Sequence, residues 1–162
     1  VPLFMRWPAR IPAGSEVSSP AAHIDLLPTL ASACGASLPQ GVEIDGRDLL
    51  GLATGEAEAS TDEPIFWQSA YYRVVRKGNW KLQVSERPHK VWLYDLSTDP
   101  TERVNLAQQR PDMVDSLKHL LEDHQSTART PLYPYTMEGP VAVDSTLADK
   151  LRPGEEIVYW PN

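Results

Sequence analysis

Four short runs of apolar and polar residues in the middle of the chain are rich in aromatic and β-branched side chains. They are IFWQS (65–69), YYRVVRKG (71–78), WKLQVS (80–85) and VWLYDL (91–96). Such residues favour strands, and the connections Lys77-Gly78-Asn79 and Arg87-Pro88-His89 are typical of hairpin turns. The pattern therefore predicts a four-stranded antiparallel meander.

After the last of these runs, the apolar residues recur with the spacing of a helix rather than that of a strand. Pro111 stands where a helix can begin, because proline is tolerated in a first turn. The apolar residues beyond it recur at i, i+3, i+4 and i+7, so one face of the helix is expected to pack on the sheet. These residues are Met113, Val114, Leu117, Leu120 and Leu121.

The first third of the chain predicts a strand and a helix. Residues 1–7, VPLFMRW, form a dense apolar run and are expected to be a short buried strand. Residues 23–35, HIDLLPTLASACG, are expected to form a helix with Asp25 near its N-terminus and Gly35 as its C-cap. Its apolar face is predicted to contain Leu26, Leu27, Leu30 and Ala31.

Shorter elements are expected outside these segments. A helical turn is expected at Arg47–Leu52 within the connection 36–63. In the proline-rich tail, Asp144 is expected to cap a short helix, STLADKL (145–151).

Composition and charge remove several classes of function. The 162 residues carry a net charge of −7 and show no basic stripe, which argues against a nucleic-acid partner or an anionic membrane surface. The clustered cations Arg73, Arg76, Lys77 and Lys81 are interpreted as a solvated face of a strand. No apolar run reaches the length of a membrane span. The single cysteine excludes an internal disulfide, and the compartment stays open between cytoplasm and periplasm.

The segment LYDLSTDPTERVNLA (93–107) resembles the start of a calcium loop, because Asp95 and Asp99 flank a serine at alternate positions. The resemblance then fails, since a proline and a leucine occupy the places of the sharp-turn glycine and the twelfth-position acid. A turn is the better interpretation, in which both aspartates bond to nearby backbone amides. The side chain of Thr101 or Glu102 is expected to accept hydrogen bonds from the next backbone amides.

No complete active site follows from the remaining residues. Cys34 ends an apolar helix and is expected to be a small buried hydrophobe rather than a nucleophile. No serine lies in a G-x-S-x-G elbow. His119 and His124 are five positions apart, which does not suit a metal pair, and are expected at the surface.

Three side chains are candidates for a ligand pocket. His23 precedes an apolar helix and is either a cap residue or a pocket side chain. His89 and Lys90 are expected at a hairpin tip, where they can contact a ligand or only solvent.

Four segments together point to a known family. VPLFMRWPARIPAGS (1–15), HIDLLPTLASACGASLP (23–39), GNWKL (78–82) and LYDLSTDPTERVNLA (93–107) occur in an order and spacing that resemble the C-terminal part of a sulfatase of the alkaline-phosphatase-like superfamily. The tail, with PVAVDSTLADKL and VYWPN, is similar to bacterial members.

The resemblance implies an α+β fold, a four-stranded antiparallel sheet with a packed C-terminal helix, preceded by the last strand and helix of a truncated α/β sulfatase domain. Residues 1–55 would end the large domain, residues 56–129 would form the small subdomain, and residues 130–162 would be an extended tail. The segment 93–107 then connects the last strand to the terminal helix.

The family's chemistry is hydrolysis of a sulfate ester. A cysteine or serine in C-x-P-S-R or S-x-P-S-R becomes formylglycine, and Asp and Asn side chains hold calcium. Cys34 is followed by Gly-Ala-Ser-Leu, no acid-Asn pair is present, and the family's catalytic lysine would lie upstream of Val1. The chain is therefore expected to hold no catalytic or metal residue and to be inactive alone. His23, His89 and Lys90 would line the rim of the parent's pocket.

Two alternatives remain. The chain could be a binding or assembly module that forms a homodimer or a swapped dimer through an exposed sheet edge. It could also belong to a related phosphonate or phosphate ester hydrolase, which would have additional zinc-type His and Asp ligands.

Overall fold

The computed structural model describes residues 2–58, 62–69, 71–87, 89–129, 140–142, 150, 152–155 and 159–161. The chain divides into two compact units, Val1–Thr61 and Asp62–Asn162. The helix expected after Asp144 falls outside the described residues. No helix of the described part combines the length and hydropathy needed to cross a bilayer.

The first unit contains the predicted helix. A 3-10 turn, His23–Asp25, leads into helix α1, Leu26–Ala33, and a second short helix, α2, spans Leu50–Thr54. Gly35 follows α1 with φ of +66°, and the amide of Ala36 closes the end by bonding to the carbonyl of Ala31 at 2.8 Å. The C-cap position itself is occupied by Cys34 rather than by the expected glycine, and Gly35 ends the helix one position later, where glycine adopts this left-handed conformation without steric cost.

A buried aspartate at the start of α1 bonds to the connection that follows α1 and holds that connection against the N-terminus of the helix. The carboxylate of Asp25, only 2% exposed, accepts the amides of Ala22 and Arg47, both at 2.8 Å. The hydroxyl of Thr29 donates to the Asp25 carbonyl at 2.6 Å and accepts the amide of Leu49 at 2.9 Å. These bonds keep residues 47–49 out of a helix, so the helical turn begins at Leu50 rather than at Arg47 as predicted.

Two expectations for the first unit are wrong. Residues 2–7 form no strand, and Phe4 is 88% exposed, because a strand requires a paired backbone and no described segment pairs with this one. Cys34 is exposed, since its position at the end of α1 turns it away from the buried side of the helix. The apolar face of α1 is also open to solvent, with Leu26, Leu27 and Leu30 between 41% and 62% exposed.

The second unit contains the predicted four-stranded sheet. Strands β1 (Ile65–Ser69), β2 (Tyr72–Lys77), β3 (Trp80–Glu86) and β4 (His89–Asp95) pair with their sequence neighbours, all antiparallel, in the order β1-β2-β3-β4. The meander is confirmed. A separate ribbon pairs β5 (Pro140–Ala142) with β6 (Tyr159–Pro161).

Helix α3, Pro111–Thr127, packs on one face of this sheet and builds the main core. The prediction that proline opens the helix and that its apolar face packs is confirmed. The buried residues of this core are Val75, Leu82, Leu93, Val114, Leu117 and Leu121.

The opposite face of the sheet has a second buried cluster because side chains alternate between faces along each strand. Its members are Tyr72, Val74, Trp92 and Tyr94. The side-chain oxygen of Ser85 and the indole nitrogen of Trp92 are also buried, and neither has a hydrogen-bond partner among the described residues.

Candidate functional site

The loop between β4 and α3 begins with two aspartates whose oxygens are occupied by the chain itself. The carboxylate of Asp95 accepts the amide of Ser97 at 3.0 Å and its hydroxyl at 2.5 Å, and these two bonds lower the pKa of Asp95. Asp99 accepts the amides of Arg103 and Val104 at 2.7 and 2.8 Å. The interpretation of this segment as a turn is confirmed.

Glu102 has a different role from the expected amide partner. Its carboxylate contacts Lys81 Nζ at 2.6 and 2.7 Å and Gln83 Nε2 at 2.7 Å, so it attaches the loop to β3. Its φ of +57° makes it the only non-glycine residue with a positive φ among the described residues. The expectation is wrong because Asp99 already takes both following amides, which leaves the side chain of Glu102 to reach the sheet.

Asn105 closes the outer edge of β4. Its side-chain oxygen accepts the amide of Leu93, and its side-chain nitrogen donates to the carbonyl of Val91, both at 3.0 Å. The amide of Leu106 then bonds to the carbonyl of Leu93 at 2.8 Å. The loop therefore imitates a neighbouring strand and satisfies backbone groups that an edge strand would expose.

The described residues do not fit a calcium site or a formylglycine precursor. No group of three or more His, Cys, Asp or Glu side chains in this part of the chain could hold a metal ion. Calcium requires six or more oxygen ligands, whereas the oxygens of Asp95 and Asp99 accept backbone amides. Cys34 is exposed and lies outside any modification motif.

The three predicted pocket residues lie in two units. His23 is exposed and begins the 3-10 turn of the first unit. His89 and Lys90 are the first two residues of β4 in the second unit, and both are exposed. The structure therefore brings His89 and Lys90 together, as adjacent residues at one end of the sheet.

Further side chains gather at this end of the sheet. Strand register places His89 opposite Glu86, and the amide of Glu86 bonds to the carbonyl of Tyr71 at 2.9 Å. The guanidinium of Arg87 lies 4.5 Å from the centre of the Tyr71 ring. We call this group of Tyr71, Arg87, His89 and Lys90 the hairpin end.

Sequence reasoning placed His89 and Lys90 at a hairpin tip but missed Arg87 and Tyr71. The run R-P-H-K, with three basic side chains in four positions, is a signal that could have included Arg87. Tyr71 is sixteen positions earlier, so only the register of the strands reveals its contact.

The two other histidines lie on the exposed part of α3, as expected. His119 is 3.4 Å from Glu122 on the same helix. The ring of His124 stacks on Phe66 of β1, with centroids 4.0 Å apart and an interplanar angle of 4°.

Comparisons with known proteins agree with this architecture. Human steryl-sulfatase is 37% identical over 101 residues, which cover 62% of this chain and 17% of that protein. An N-acetylgalactosamine-6-O-sulfatase of Bacteroides thetaiotaomicron is 29% identical over 136 residues, covering 75% of this chain and 26% of that protein. The chain thus spans about a quarter or less of these relatives.

Solved structures give the same result for the fold. A 2-O GAG sulfatase superposes with a TM-score of 0.52 at 29% identity, covering 63% of this chain and 24% of the other. Ps i-CgsB, in complex with a neocarrahexaose, reaches a TM-score of 0.67 at 21% identity, covering 80% of this chain and 30% of the other. At that identity the second likeness shows the fold alone.

The family model described as N-sulphoglucosamine sulphohydrolase, C-terminal, matches residues 1–129. That range includes α1, the four-stranded sheet, the loop with Asp99 and Glu102, and α3. The chain belongs to the family of sulfatase C-terminal domains.

Proposed function

We propose that this chain serves a sulfatase, an enzyme that hydrolyses sulfate esters, as its C-terminal part. The supporting observation is the family match over residues 1–129 together with sulfatase relatives that are several times longer than the aligned region. Residues 1–55 would end the large domain, residues 56–129 would form the small subdomain, and residues 130–162 would be its tail.

In this proposal the chain supplies support and part of the pocket rim rather than the reacting groups. Calcium and formylglycine would be held by other residues of the parent enzyme, where they would neutralise the sulfate and provide the nucleophile. His23, His89 and Lys90 would contact the substrate away from the ester that is cleaved. Their exposure leaves them accessible to such a ligand.

Turnover of a chromogenic aryl sulfate tests this proposal. The purified 162-residue chain is expected to show no turnover with or without calcium, whereas the parent protein is expected to be active. Turnover by the chain alone, surviving a C34A substitution and repeated purification, would refute the supporting role. An aryl phosphate and an aryl phosphonate serve as comparison substrates, and a parent that prefers either of them would favour the related phosphorus-ester hydrolases.

An assembly role is a second candidate, and the state of the two sheet edges favours it. The edge of β4 is closed by Asn105, whereas no described strand pairs with the outer side of β1. Strand β1 carries no charged residue and leaves Trp67 40% exposed, so it lacks the usual protection of an edge. A dimer measured by light scattering, and lost in W67K, would support this role. A monomer at high concentration would exclude it.

A further inference from the structure

The sheet face that lies away from α3 buries two polar atoms that the chain does not satisfy. The hydroxyl oxygen of Ser85 and the indole nitrogen of Trp92 have no hydrogen-bond partner among the described residues, and the two residues are only 2% and 1% exposed. Buried polar atoms in folded proteins almost always bond to another protein group or to an ordered water. An unpaired buried group is costly, so the two atoms point to a ligand.

Ser85 and Trp92 belong to one patch of the sheet. Strand register places Gln83 of β3 opposite Trp92 of β4, and Ser85 lies two positions further along β3 on the same face. Ser85 and Trp92 are therefore diagonal neighbours, which in an antiparallel pair are about 7–8 Å apart and within reach of an aromatic side chain. Tyr72, opposite Ser85 on β2, shares a buried cluster with Trp92, so this cluster spans β3 at Ser85.

Gln83 adds a hydrogen-bond acceptor to the patch. Its side-chain nitrogen donates to the carboxylate of Glu102 at 2.7 Å, and the residue is 1% exposed. A carboxylate only accepts hydrogen bonds, so the nitrogen end of the amide faces Glu102 and the oxygen end points away from it. No side chain or backbone amide of the described part donates to that oxygen. The patch thus combines one N–H donor, one carbonyl acceptor and one hydroxyl that can do both.

This set of groups selects the kind of ligand. The indole N–H of Trp92 can only donate, so it repels a cation, whereas the carbonyl oxygen of Gln83 can only accept, so it repels an anion. A neutral ligand that both donates and accepts fits all the groups. Two atoms joined through one water are about 5.5 Å apart, which suits diagonal neighbours better than a direct bond of about 3 Å. Three protein partners are also usual for an internal water.

We propose that one internal water molecule bridges the side chains of Ser85, Gln83 and Trp92 on this face of the sheet. The water accepts the indole N–H and donates to the amide oxygen of Gln83, and its remaining bond is to the hydroxyl of Ser85. Through Gln83 and Glu102, the bridge links β4 to the loop that follows it. The site is separate from the proposed sulfatase function and concerns how this unit is held together.

A crystal structure of the 162-residue chain, at a resolution that shows ordered waters, tests the proposal directly. A water is expected within about 3.2 Å of the indole nitrogen of Trp92 and of at least one of the two β3 side-chain oxygens. Any other arrangement would overturn the proposal. Examples are a direct bond from the indole to Gln83 or Ser85, or an indole with no water in reach.

Urea unfolding of S85A gives an independent test whose sign discriminates. If the hydroxyl bonds to a bound water, its loss should lower the urea midpoint and the folded-to-unfolded ratio at least about threefold. If the hydroxyl has no partner, alanine removes an unsatisfied group, and the midpoint should stay or rise.

S69A is the matched control, because it makes the same substitution on a strand of the same sheet. Ser69 lies opposite Tyr72 at the end of β1 and is only partly buried. Its hydroxyl is not among the buried atoms without a partner. A midpoint for S85A at or above that of S69A would contradict the bridge. The crystallographic test uses the unaltered chain, so it decides the question even if S85A packs differently.

Discussion

Glu102 offers a direct test of how the β4–α3 loop is attached to the sheet. We consider two substitutions, E102A and E102G, which both remove the carboxylate. They differ in their effect on the backbone, because the φ of Glu102 is +57°. At an ordinary position glycine is less stable than alanine by about 0.5–1 kcal/mol. At this position the order should reverse.

The magnitude follows from the contacts of the carboxylate. It receives one ammonium and one amide donor at 2.6–2.7 Å, and the side chains of Lys81 and Glu102 are 24% and 16% exposed. Gln83 is 1% exposed and would be left with an unpaired donor. Charge-assisted bonds of about 1.5–3 kcal/mol, discounted for partial exposure, predict that E102A destabilises the chain by about 2–4 kcal/mol. E102G should recover about 1 kcal/mol of this, because glycine adopts the left-handed conformation without the cost that alanine meets.

Urea unfolding, followed by tryptophan fluorescence and far-UV circular dichroism, measures both differences. The control is E122A, because Glu122 is 67% exposed and lies 3.4 Å from His119 on the same helix surface. It should change stability by less than about 0.5 kcal/mol. If E102A is as stable as E102G, or if it costs no more than E122A, the proposed attachment of the loop is incorrect.

Three further predictions concern the close packing at Gly46, the closure of the β4 edge by Asn105 and the pKa of Asp95. G46A should destabilise the chain by about 1–3 kcal/mol in urea unfolding, because the added Cβ would overlap the carbonyl of Ile24; wild-type stability would contradict this. N105A should cost about 2–3 kcal/mol at about 1 kcal/mol per lost bond, and N105D should also be destabilising because it cannot donate to Val91; a stable N105D would contradict the edge closure. S97A should raise the pKa of Asp95 towards its ordinary value in a carboxyl NMR titration, since bonds from Ser97 lower it. A carboxyl group whose pKa is lowered in the folded state stabilises the fold above its unfolded-state pKa, and this stability is lost as the pH falls through the folded-state pKa. S97A should therefore make the free energy of unfolding less sensitive to acid. An unchanged titration of Asp95 would contradict the role of the Ser97 bonds.

The sheet and α3 could be predicted from sequence because their signals are local. The aromatic and β-branched residues in 72–77 and the glycine at the next turn favour a strand and its hairpin without reference to distant residues. Pro111 and the apolar spacing after it likewise specify a helix and its packed face. Each signal is contained within one element, and tertiary packing does not alter it.

The errors arise where structure depends on a partner. The apolar run at 2–7 indicates a need for burial, but it becomes a strand only if another backbone pairs with it. The position of Cys34 at a helix end does not reveal which side of the helix is covered. In both cases the sequence describes a residue's preference, whereas the structure depends on its neighbours.

The candidate site was predicted in part for the same reason. A hairpin tip implies exposed side chains, which located His89 and Lys90. The contact between Arg87 and Tyr71 depends on the alignment of two strands, as does the reach of Asn105 to the β4 backbone. Such long-range contacts require the register of the sheet, which short motifs do not determine.

The closure of β4 by Asn105 also limits how copies of this chain could associate. Filament growth by strand addition needs two edge strands with unpaired backbone on each subunit, because every inner subunit must pair with one neighbour on each side. Among the described strands of the four-stranded sheet, only β1 remains open on its outer side. Pairing of β1 with β1 of a second copy would use that edge on both molecules, so association by this route would stop at a two-fold symmetric pair and could not propagate into a fibre.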